Sequence, residues 1–112
     1  MTNETIQNHT PHTINIHTPD GAIVTIAPQG SPVPRVETIA VDEAPIGAIP
    51  TVVSRLGPVS NLPPATPGVY LVVSQIVASA CPDRDDLLYP YDLVRDDKGR
   101  PIGCRALSRI PR

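Results

Sequence analysis

The apolar positions of this 112-residue chain come in short runs cut by proline and glycine, and most runs alternate with polar residues. In "TINIHTPDGAIVTIAP", Ile14 and Ile16 alternate with polar neighbours, Pro19-Asp20-Gly21 carries turn chemistry, and Val24 and Ile26 alternate again. A period of two on either side of such a turn predicts a β-hairpin. "PQGSPVP" (28–34) predicts a loop, because proline lacks a ladder donor and fixes φ. "RVETIAV" (35–41) and "IPTVVSRL" (49–56) read as two strands, the second closed by Gly57-Pro58, and 60–68 reads as a loop. "VYLVV" (69–73) is apolar on both faces, which predicts a central strand covered on both sides. Ser74 then caps a short helix that Pro82 ends about two turns later. "YDLVR" (91–95) and "RPIGCRAL" (100–107) flank Asp96-Asp97-Lys98-Gly99 as a second hairpin. Residues 1–10 read as a flexible tail. The pattern predicts one α+β domain over 1–112, a mostly antiparallel sheet of five to seven short strands with one short helix.

Composition sharpens this in two places. The chain holds 11 Ile and 12 Val against 7 Leu, with no Phe or Trp. Stiff β-branched side chains suit a pleated sheet. A core without large aromatics gains from burying more surface between subunits, so a homo-oligomer is expected. The 15 prolines are dispersed between apolar runs, which excludes long helices. No apolar run approaches the roughly 20 residues that cross a bilayer, and the polar start "MTNETIQNHT" carries no export signal. Cys81 and Cys104, without CxxC spacing, read as reduced thiols, and the expected compartment is cytoplasmic.

Net charge is −2, which argues against a general nucleic-acid binder. The distribution is more informative: residues 79–112 hold seven basic and six acidic groups, against two and five in residues 1–78. Most of this charge lies in "CPDRDDLLYPYDLVRDDKGRPIGC" (81–104), where Arg-Asp-Asp occurs twice. His9, His12 and His17 sit close together but lack a Cys or carboxylate at ligand spacing, so no metal is expected. No GxSxG, P-loop or GxGxxG is present, and no cofactor is expected. Asp85 and Asp86 are the only catalytic candidates, and ion-pairing to an arginine is their default role, so the protein reads as a non-enzyme.

What remains are arginines and tyrosines. Arg84, Arg95, Arg100 and Arg105 supply forks for phosphate or carboxylate, and Tyr70, Tyr89 and Tyr91 supply faces for a base. The helix start at Ser74 adds backbone N–H groups. The expected binding residues are therefore Ser74, Arg84, Asp85, Asp86, Tyr89, Tyr91, Arg95, Arg100 and Arg105. In this reading Arg109 and Arg112 lie in the tail and matter least, and removing an exposed arginine changes stability little.

Five stretches, "TPHTINI" (10–16), "GAIVTIAPQGSPVPRV" (21–36), "IPTVVSRLGPVSNLP" (49–63), "GVYLVVSQIVASACPDRDDLLYP" (68–90) and "VRDDKGRPIGCRAL" (94–107), resemble a family of small accessory proteins of bacteriophages and prophages. The usual Asn-Leu before "TPH" is Asn8-His9 here. The resemblance covers nearly the whole chain and implies a protein acting in the host cytoplasm on host machinery. By analogy with other phage inhibitors, it implies a sponge that sequesters a nucleotide-derived immune signal. The other expectation is a module that binds a host defence protein or the virion and takes no small ligand.

Overall fold

Leu71, Val72 and Val73 are almost fully inaccessible to solvent, and they organise the fold. The computed structural model describes residues 5–111. Val69–Val72 forms a strand, numbered β6 in chain order, and its alternating side chains feed two separate cores. Leu71 and Val73 pack on one face with Val77, Ala78 and Leu87. Val72 packs on the other with Ile14, Leu88 and Cys104. The doubly apolar run thus does what its pattern predicts.

The other strands are β1 (Thr5–Asn8), β2 (Ile14–His17), β3 (Ile23–Ile26), β4 (Arg35–Ile46), β5 (Ile49–Ser60), β7 (Leu87–Arg95) and β8 (Pro101–Ser108). Six of them form one sheet in the order β1-β6-β7-β8-β2-β3, and β4 and β5 form a separate ribbon. Both expected hairpins are present, β2–β3 and β7–β8. The one helix among the described residues, α1 (Gln75–Ala80), follows β6.

The expectation of a mostly antiparallel sheet is corrected. β1–β6, β6–β7 and β2–β8 are parallel, so the sheet is mixed. For β6–β7 the reason is the helix. A chain that leaves β6 through α1 and returns as β7 has made a crossover, which lands the next strand parallel to the first. A second correction concerns the expected tail. Thr5–Asn8 forms the edge strand β1, and Asn8 is fully buried. Residues 1–4 lie outside the described part.

Asn8 also joins the two edges of the sheet. Its Nδ2 donates to the carbonyls of His12 (2.7 Å) and Ile26 (3.0 Å), and its Oδ1 accepts from the Thr10 N–H (2.9 Å) and hydroxyl (2.6 Å). Its backbone bridges Pro28, and Gln29 N–H donates to its carbonyl at 2.8 Å. The sheet therefore curls until β1 meets the end of β3.

The ribbon is anchored at its root, where Val36 and Val59 pack on the helix-side core. The remainder projects, giving extents of 57 × 39 × 28 Å and a radius of gyration of 17.1 Å. A compact chain of this length would have a radius near 13 Å.

Candidate functional site

The charged segment does not gather into one site. Arg95 and Arg100 lie at the far turn of the β7–β8 hairpin, where Arg95 Nη1 donates to the Gly99 carbonyl (2.9 Å) and Arg100 Nε pairs with Asp96 (2.9 Å). Asp96 also accepts the Lys98 and Arg100 N–H groups, and these bonds hold its carboxyl below the ordinary range. Arg105 faces Asp92 across the strands at 3.4 Å, both of them exposed. Tyr91 is exposed, while Tyr89 is half-buried against the helix-side core. Ser74 accepts the Val77 N–H at 3.4 Å, so its hydroxyl caps a helix of only six residues.

Arg84 and Asp86 are bound to each other. Arg84 Nε and Nη2 reach the two Asp86 oxygens at 2.8 Å each, and Nη2 also donates to the Pro63 carbonyl at 3.0 Å. These bonds hold the Asp86 carboxyl below its ordinary range and the guanidinium above its own, against the cost of burial. The Asp86 carbonyl meanwhile accepts the Leu71 N–H at 2.8 Å, which ties the start of β7 to β6. The pair staples the 61–68 loop to the start of β7.

This staple forms one wall of a cleft of about 830 Å³, lined by Thr66, Tyr70, Arg84, Asp85, Asp86 and Arg109 among others. Thr66-Pro67-Gly68-Val69 also lines it. Proline and then glycine at the central positions, with Gly68 at φ +78° and the Val69 N–H bonded to the Thr66 carbonyl, suit a turn that needs a left-handed third residue. The chain returns to the cleft after β8: Ile110 packs on the helix-side core, and the Arg109 guanidinium lies 5.5 Å above the Tyr70 ring centroid. Tyr70 is held from behind by the Ile14–Val72–Leu88–Cys104 cluster.

Arg84, Asp85 and Asp86 of the sequence-expected set therefore line the cleft, whereas Ser74, Tyr89, Tyr91, Arg95, Arg100 and Arg105 do not. Arg109, expected to matter least, and Tyr70 complete it. Arg109 makes no ion pair among the described residues, so its guanidinium donors face the cleft without a carboxylate. Nothing in its sequence context, "LSRIPR", signals this; only the anchoring of Ile110 does.

Among the described residues no group of three or more His, Cys, Asp or Glu lies close enough to hold a metal ion. His9 bonds Gln7 Oε1 at 3.1 Å, and partial burial lowers its pKa. The buried Cys104 thiol is pushed up by desolvation. No helix among the described residues is long and apolar enough to cross a membrane. No family model, no curated protein and no solved structure matches the chain.

Proposed function

We propose that the protein is a non-catalytic binder that holds a small, ring-bearing anionic ligand in the Tyr70–Arg109 cleft. The observation that carries this is Arg109 itself: a guanidinium stacked on an aromatic face, with no carboxylate partner among the described residues, beside a cleft of ligand size. Arg84 and Asp86 neutralise each other, which leaves Arg109 as the lining cation without an ion pair among the described residues. The guanidinium fork suits phosphate or carboxylate, and the side of its plane turned away from Tyr70 suits a base. Nucleotides fit this description. Together with the likeness to small phage proteins, this supports sequestration of a nucleotide-derived signal of host defence.

The test is to incubate the protein with a mixture of cyclic nucleotides, wash, denature it and analyse what is released. Intact nucleotide supports the proposal. Altered nucleotide means an enzyme, and release no greater than from a heat-treated control means a protein without a small ligand.

A further inference from the structure

One face of the β4–β5 ribbon is rich in exposed apolar side chains. Paired residues of an antiparallel ribbon share a face, so the register places Ile39 with Arg55, Val41 with Val53, Glu43 with Thr51, and Ile46 with Ile49 on the same side. Val41, Val53, Ile46 and Ile49 are 58%, 52%, 73% and 64% exposed there. Ile39 leans over Gly57, where an added Cβ would sit 2.9 Å from Ile39 Cδ1, and this continues the apolar strip toward the root. The opposite face is more polar, carrying Thr38, Ala40, Asp42 and Ser54 with Val52 and Leu56. A two-stranded ribbon alone is marginal in water.

Independently, the chain exposes 7874 Å². A compact monomer of its 11.9 kDa mass would expose about 5,950 Å². The excess of roughly 1,900 Å² is more than the ~800 Å² per partner that a stable interface covers.

We propose that this face packs against the same face of a second copy, with the ribbons antiparallel about a two-fold axis crossing at Val41–Val53. Charge decides the occupant and the direction. Arg55 lies one pair toward the root from that centre and Glu43 one pair toward the tip. Both are exposed, and neither side chain has an ion pair or hydrogen bond among the described residues. In the antiparallel arrangement each Arg55 comes within reach of the other copy's Glu43, twice per dimer. A parallel arrangement would bring Arg55 toward Arg55 and Glu43 toward Glu43. The same arrangement lays each tip, Ile46 and Ile49, over the Ile39–Gly57 strip of the other copy. Pro45, Pro50 and Pro58 remove donors from the strands, which disfavours association through the ribbon edges.

The experiment is a charge swap read by sedimentation velocity at micromolar concentration. The native protein should sediment as a dimer or a multiple of it. Arg55→Glu alone and Glu43→Arg alone should each weaken association about tenfold or more, since each sets like charges together. The double variant R55E/E43R should recover native association. Val53→Asp should dissociate the dimer while its body keeps the native melting transition. A monomeric native protein overturns the proposal. So does an association that the single variants leave unchanged, or that the double variant fails to recover.

Discussion

Arg84 and Asp86 sit two residues apart and clasp each other through both carboxylate oxygens, with the Arg84 side chain 24% and the Asp86 side chain 10% exposed. Removing one partner of so enclosed a pair strands the other, which costs more than a surface pair contributes. Arg84→Ala should therefore lower stability by about 2–3 kcal/mol, or roughly 10–20 °C in Tm for a domain of this size. This replaces the expectation that an arginine here is a dispensable surface charge. Arg105→Ala, at an exposed 3.4 Å pair, should shift Tm by no more than a few degrees. Thermal melting of the two variants side by side checks the contrast.

The same pair makes stability depend on acid. Asp86 has a folded pKa below its unfolded value because Arg84 bonds to it. Its contribution is thus complete above the unfolded carboxylate pKa near 4 and is lost as pH falls through the lower folded value. Denaturant midpoints measured from neutral pH down to pH ~2 should fall below pH ~4. In Asp86→Asn that acid-dependent loss should be smaller, from a lower starting stability.

Asn8 is buried with both amide atoms satisfied, so Asn8→Ala leaves the His12 and Ile26 carbonyls and the Thr10 N–H without their partner. A loss of about 2–4 kcal/mol is expected. Hydrogen exchange should show the damage at both sheet edges, β1 and β3, and not at the β7–β8 turn. Uniform exchange across the sheet would mean the edges are held by something else.

Gly103 passes so close to β2 that an added Cβ would lie 2.7 Å from the Asn15 carbonyl and 2.8 Å from the His17 ring. Gly103→Ala must push two strands apart where the backbone cannot yield, costing about 1–3 kcal/mol. Chemical denaturation should register this, whereas Ala106→Gly, at an exposed position of the same strand, should cost less than about 1 kcal/mol.

Local chemistry made much of this legible in the sequence. The two hairpins, the Ser74 cap and the doubly covered β6 follow from turn residues and alternation. β1 was hidden because "TIQN" has almost no apolar pattern, and it exists only through its pairing with β6 and the bonds of Asn8. The mixed sheet was hidden because strand direction is set by which distant strand a segment meets. The site was half visible. Arg84, Asp85 and Asp86 stood out by charge, but charge density cannot show that Arg95 and Arg100 are tied into a turn. Nor can it show that Ile110 brings Arg109 back over Tyr70.

The central claim is that the cleft binds through Arg109 and that Arg84 is there to hold its wall. It is tested most directly by measuring nucleotide retained after incubation with cyclic nucleotides for the native protein, Arg109→Ala and Arg105→Ala. Arg109→Ala should keep its melting temperature within a few degrees, since an exposed cation–π contact is worth only about 0.5–1 kcal/mol. It should lose retention at least tenfold, as expected for a charge-assisted bond worth about 1.5–3 kcal/mol. Arg105→Ala should retain nucleotide as the native protein does. Equal retention by Arg109→Ala and the native protein, or loss in Arg105→Ala alone, would contradict the account.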